Sequence, residues 1–244
     1  MMPGNVFRLQ MTEAFSGRRR MALRVWVSGL LALPFILVAM PARAQAAGIV
    51  MVIVFTAFFG AAVSHARLRA DLRLSRLQLL PTSRATLWLD LVLASMLARV
   101  VPAVVVLCGF VAVNGRVVTA VSLIRLAGWL CASLLLLTAL GSVIARLARN
   151  NAEVHLFGAL TCAVIAFVSG VTPLPDRLKW LTAAGRGNPI WLLRSSLTGL
   201  TTEASHVRRE ELVFSLLVIA LIAGTAVLRW VSGGAARAKQ FDAA

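Results

Sequence analysis

The sequence predicts an all-α membrane protein of six transmembrane helices, with both termini cytoplasmic and short re-entrant or interfacial outer helices between spans five and six. Three observations predict it. Of 244 residues, 59% are hydrophobic and only 14% are charged, against about 25% charged in an ordinary soluble domain. Six apolar stretches carry no charge at all: residues 25–42, 44–64, 100–115, 126–145, 156–175 and 212–228. The net charge of +16 sits in arginine clusters between these stretches, which marks topology determinants rather than one basic face for nucleic acid. For the chain as a whole, a soluble enzyme, a nucleic-acid-binding domain and a disordered tail are excluded. A hydrocarbon core of about 30 Å needs about 20 helical residues per crossing, so the length accommodates six spans and their loops in one domain, residues 1–244. No stretch alternates as a barrel strand does, and backbone groups in lipid must be satisfied internally, so the spans are helical.

Taken in order, residues 6–16 mix apolar and polar side chains and read either as an interfacial helix on the inner leaflet or as a disordered tail. Span one covers residues 22–42. Arg18 to Arg20 before it and Ala42-Arg43-Ala44 after it mimic a secretory signal, but an apolar run of 18 residues exceeds the usual signal core of about 7–15, so the span is read as retained. Span two covers 46–65. The following segment, residues 67–84, reads RLRADLRLSRLQLLPTSR. Leu68, Leu72, Leu79 and Leu80 among its arginines make it amphipathic, and Pro81-Thr82-Ser83 breaks it. Thr82 and Ser83 are helix-capping types for span three, 87–113, with a kink expected near Pro102. Spans four, five and six follow at 121–145, 152–172 and 211–231. Two short helices are expected within 173–199, the second opened by Asn188 as cap and Pro189 as first helical residue. Trp26, Trp88 and Trp230 fall near span ends, where indole prefers the headgroup layer.

Orientation follows from the short loops. Arg8, Arg18 to Arg20, Arg24, Arg67, Arg69, Arg73, Arg76, Arg84, Arg146, Arg149, Arg229, Arg237 and Lys239 fall on one side, whereas Arg43, Arg116 and Arg125 fall on the other. The exception is the loop 172–211, where Arg177, Lys179, Arg186, Arg194, Arg208 and Arg209 are partly offset by Asp176, Glu203, Glu210 and Glu211, and a long loop weighs little in this rule. The first side is therefore cytoplasmic.

Individual polar residues yield no catalytic site. Arg99 lies inside span three, where an unpaired charge costs about 2.5–3.5 kcal/mol on insertion scales. At about 100° per residue Asp90 sits on the opposite face of the same helix, so Glu153, at the inner start of span five, is the expected ion-pair partner. Glu153 and His155 make no proton relay, because no ionisable group follows them into the membrane up to Pro175. Cys108, Cys131 and Cys162 lack the close spacing of a metal site, and His206 among Glu203, Glu210 and Glu211 reads as a solvated segment.

The Ser169-Gly170 ending of span five, followed by Pro173-Leu174-Pro175, Trp180-Leu181, Asn188-Pro189, Arg194 and Gly199, resembles the permease subunit of type 2 ATP-binding-cassette (ABC) exporters. In that family the fifth span ends in Ser-Gly-x-x-x-Pro; here the proline comes one residue earlier. Residues 77–84 resemble the family's Leu-Leu-x-x-Pro-x-Ser-Arg stretch, again with a shortened gap, and Asp90-Leu91 stands where the family often has Gly-Lys. The resemblance implies a permease of a bacterial plasma (inner) membrane, working as a homodimer or heterodimer with a separate ATPase subunit. Arg69, Leu72, Arg73, Arg76, Leu77, Leu80 and Arg84 would make the ATPase-coupling contacts. Ser169, Gly170, Pro173, Pro175, Trp180, Pro189 and Trp191 would form an outer gate. The chain has no Gly-x-x-x-x-Gly-Lys-Ser/Thr loop, so ATP and Mg are expected on the partner ATPase, with no cofactor and no enzymatic activity in this chain. Few fixed charges along the path suit an amphipathic or hydrophobic substrate: a drug, peptide, lipid or glycolipid. The competing class is a non-transporting integral membrane protein that binds partners, an assembly or immunity factor. A proton-driven carrier would need intramembrane carboxylates and internal repeats.

Overall fold

A computed structural model describes residues 4–79, 83–116, 118–172, 177, 180, 183, 185–202, 211 and 213–227. The elements are α1 (Gly4–Ser16), α2 (Arg18–Leu37), α3 (Ala42–Ala70), α4 (Arg73–Gln78), α5 (Arg84–Asn114), α6 (Ala120–Leu147), α7 (Asn151–Val168), a 3-10 turn (Gly185–Gly187) and α8 (Pro189–Thr201). A further apolar helix, α9, spans Val213–Val227. Among the described residues there is no strand. Five helices, α2, α3, α5, α6 and α7, are long and apolar enough to cross a membrane, whereas α9 is shorter over its described length. The chain is accordingly an all-helical, multi-pass membrane protein.

Local chemistry sets the helix ends. α2 stops at Leu37, short of the expected boundary at 42, and Pro41 becomes the N-cap of α3, because the residue before a proline is pushed out of helical geometry. Ser83 accepts from the backbone N–H of Thr86, Thr119 and Ser122 form a reciprocal capping box, and Asn150 accepts from Glu153. Each satisfies a donor that a helix start leaves orphaned. α5 runs uninterrupted through Pro102. α7 ends at Val168, four residues before the expected 172.

Contacts between distant segments sort the helix ends into two groups. Gln45 donates to Asn114, and Asn114 to the Ile36 carbonyl, joining the end of α2, the start of α3 and the end of α5. At the other pole Trp88 donates to Ser142, and Arg69 to the Ala148 carbonyl, joining the end of α3, the start of α5 and the end of α6. Successive long helices therefore run up and down. Arg67, Arg69, Arg84, Arg146 and Arg149 gather at the second pole with the start of α2, the arginine-rich end.

α3 is the central post, packed against α2, α5, α6, α7 and α8. Its Ile49, Ile53 and Phe58 are within 1% of full burial and share one core with Leu134 and Leu137 of α6. Lipid tails are as apolar as leucine, so helices in a membrane hold together by close packing and hydrogen bonds. Two α6 glycines permit that approach. A Cβ at Gly141 would lie 2.7 Å from the Phe58 carbonyl oxygen of α3, and one at Gly128 would lie 2.3 Å from the Ser215 Cβ of α9. α1 is helical and its Val6 and Phe7 are buried. Val6 meets Leu87 and Leu91 of α5, so this helix belongs to the bundle rather than only to the lipid surface.

Candidate functional site

At the arginine-rich end the chain turns at Leu72, which has a left-handed φ of 54°, and enters α4. Starting at Arg73, the helix puts Leu74 and Leu77 on one face by their three-residue spacing. Both pack, with Leu68, against Val6, Leu87 and Leu91. Of the apolar residues expected on this segment, Leu68 packs inward, whereas Leu72 and Leu79 do not. Leu72 is 64% exposed and Leu79 is 85% exposed, while Arg73, Arg76 and Arg84 are exposed beside them. Arg73 also pairs with Glu13 of α1 at 2.7 Å. Arg69 turns inward and donates to the carbonyls of Ala148 and Arg149 at the end of α6, where helices leave carbonyls orphaned and favour a cation. Of the predicted coupling residues, then, Arg69 and Leu77 are spent on the fold, and Leu72, Arg73, Arg76 and Arg84 are presented outward. Leu80 lies outside the described residues.

At the opposite end the Ser-Gly pair closes α7. The Gly170 N–H donates to the Phe167 carbonyl and the Val171 N–H to the Ala166 carbonyl, with Gly170 at φ 62°. This is the Schellman arrangement, whose left-handed residue is best supplied by glycine. Ser169 is fully buried, and its hydroxyl is 3.4 Å from the Asn188 side-chain amide, whose oxygen caps Ile190. The Arg194 guanidinium lies over Gly170, where a Cβ would come within 3.1 Å of it. Burial, and then the charge of Arg43, lower the Arg194 pKa from its ordinary value. Ser169-Gly170, Asn188-Pro189 and Arg194 thus form one cluster joining α7 to α8.

α8 does not merely cover the mouth. Ile190, Leu193, Leu197 and Leu200 are each at most 1% exposed, inserted between α3 and α6, and the Leu200 carbonyl accepts from the Arg116 N–H. Pro189 and Trp191 are half-buried and Trp180 is exposed. Pro173, Pro175, Leu178 and Leu181 lie outside the described residues, and with them most of the first expected outer helix.

Midway along α5, Arg99 is 7% exposed. Glu153 is not its partner. That carboxylate accepts from the Arg149 N–H at 2.7 Å and from the Asn150 side chain, at the start of α7, the helix end that favours a negative charge. Arg99 instead donates to the carbonyl and hydroxyl of Ser95 and, at 3.3 Å, to the Ser64 hydroxyl of α3. Two cavities meet at it. One, of about 290 Å³, is walled mainly by apolar residues of α2, α3, α5 and α6; the other, of about 300 Å³, opens beneath α1 among the arginines. Arg24 and Arg99 line both.

A further ion pair was not anticipated. Arg125 of α6 and Glu211, just before α9, approach to 2.7 Å at side-chain exposures of 10% and 24%. The signal was available, since both residues open spans on the same side of the predicted topology. Among the described residues no group of histidine, cysteine and carboxylate side chains is arranged to hold a metal. No family model, no curated protein and no solved structure matches this chain.

Proposed function

We propose that the chain is the transmembrane subunit of an ATP-driven exporter in a bacterial plasma membrane, with α9 completing a sixth span and the arginine-rich end in the cytoplasm. It dimerises, identically or with a related permease, and docks on a separate ATPase subunit that holds ATP and Mg. The observation that carries this reading is the outer cluster: the Ser-Gly, Asn-Pro and Arg motifs behind the family resemblance, apart in sequence, meet between α7 and α8. At the other pole, Leu72, Leu79, Arg73 and Arg76 offer an exposed apolar and cationic surface of the kind a partner groove takes. Packed on α1, α3 and α5, α4 transmits partner movement to the spans as rigid-body rotation. α8 and the segment before it act as the outer gate for an amphipathic or hydrophobic substrate.

The test uses a complex purified through a tag on this chain and reconstituted in proteoliposomes. Vanadate-sensitive ATP hydrolysis is expected in it, and Arg76→Glu with Arg84→Glu, both exposed, should abolish that activity while leaving the chain folded. A cysteine at Ser75 should crosslink to the ATPase. If the tagged chain carries no hydrolysis, or if hydrolysis ignores both charge reversals, the exporter reading is lost.

A further inference from the structure

We propose that the two cavities meeting at Arg99 bind one anionic lipid, its phosphate or carboxylate headgroup on the arginines and one hydrocarbon chain in the apolar chamber. The inference goes beyond the export reading and does not rest on it.

Charge makes the first argument. Arg99 is about 22 Å along α5 from Arg84 at helical rise, and its Nε is buried without a hydrogen-bond partner among the described residues. Its partners are serines and a carbonyl, none of which cancels a full charge. Buried charges are ordinarily paired, because an uncompensated ion in a low-dielectric interior costs several kcal/mol. The polar cavity leading to it is lined by Arg20, Arg24, Arg67, Arg73 and Arg99. Among the described residues its carboxylates are Glu13, committed to Arg73, and Asp71. The site is thus left with excess positive charge that an anion satisfies, and guanidinium binds phosphate and carboxylate oxygens with directed, charge-assisted hydrogen bonds.

Shape makes the second. The adjoining chamber is apolar, with Phe59, Ala103 and Leu134 on its walls. Leu23, Val27 and Phe55 on its lining are 67%, 46% and 46% exposed, so it opens sideways between helices rather than to water. Gly60 keeps the junction clear, since a Cβ there would approach Arg99 Nε to 3.2 Å. With about 290 Å³ and 300 Å³ on either side of Arg99, the pair reaches the usual range of small-molecule sites, about 300–1,000 Å³. A free anion would leave the apolar half unexplained, and an uncharged chain would leave the arginines so. A lipid of the arginine-rich leaflet answers both and enters from the side.

The test uses the full chain in neutral maltoside micelles, titrated with oleyl phosphate, oleyl alcohol, butyl phosphate and inorganic phosphate, read by native mass spectrometry and calorimetry. Oleyl phosphate should bind one per chain, with oleyl alcohol and inorganic phosphate weaker by about tenfold or more. Arg99→Gln should weaken oleyl phosphate by about tenfold, whereas Arg186→Gln, on the far turn, should not. Thr56→Phe fills the chamber and should weaken oleyl phosphate but not butyl phosphate. Equal binding of oleyl alcohol, equal binding of inorganic phosphate, indifference to Arg99→Gln, or exclusion of lipid by a second copy of the chain overturns the proposal. Should a variant fail to fold by circular dichroism, the ligand series on the unaltered chain still decides. ATP hydrolysis is not read here, so failure of this site and failure of the exporter reading remain separate results.

Discussion

Gly141 illustrates how single positions govern a bundle without a hydrophobic drive between its helices. Its neighbour is the α3 backbone itself, at Phe58 and Ala62, which cannot swing aside as a side chain would. Gly141→Val is expected to cost about 1–3 kcal/mol through overpacking, read as an earlier midpoint in detergent-denaturation curves. Gly29 is the contrasting case, with open space where its Cβ would stand, and Gly29→Ala should be neutral or stabilising by up to about 1 kcal/mol. Similar costs in both variants would contradict the packing described. The Arg125–Glu211 pair makes a second residue-scale prediction. Arg125→Ala strands a mostly buried carboxylate and should lose about 1–3 kcal/mol, a figure kept below that of a fully buried pair because Glu211 is partly exposed. Exchanging the two charges, Arg125→Glu with Glu211→Arg, should recover at least half of the loss in the same assay.

Among the elements, the α7–α8 junction depends on one cap. Asn188 both starts α8 and reaches Ser169, so Asn188→Ala should cost about 1 kcal/mol and speed amide exchange at residues 190–193. Exchange unchanged there would mean that α8 is held by its buried leucines alone. The junction was half-legible in the sequence. Asn-Pro announced a helix start and Ser-Gly a helix end, because capping and left-handed backbone are local chemistry. That the two meet, with Arg194 laid over Gly170, depends on residues 19 or more positions apart and could not be read locally. α4 tells the same story in reverse. Its amphipathic character was legible, yet which leucines turn inward was decided by where the left-handed Leu72 restarts the helix and by Val6 arriving from α1.

The whole molecule is an alternating bundle, and its orientation is a question of side. In a background lacking the native cysteines, Ser75→Cys should label with a membrane-impermeant maleimide only from the cytoplasm and Arg186→Cys only from outside. Labelling of both from one side would break the up-and-down order, and reversed labelling would invert the topology. The membrane class, the long helices and the segregation of arginine were legible from the amino acids alone, because apolar length and loop charge act locally and additively against the bilayer. It took the packed bundle to make α8 a core element, to turn Glu153 to the start of α7 instead of to Arg99, and to stand Arg99 between an apolar and a basic cavity. Those outcomes turn on how helices rotate and which side chains then face each other, and periodicity fixes a helix's faces without naming the neighbours they meet.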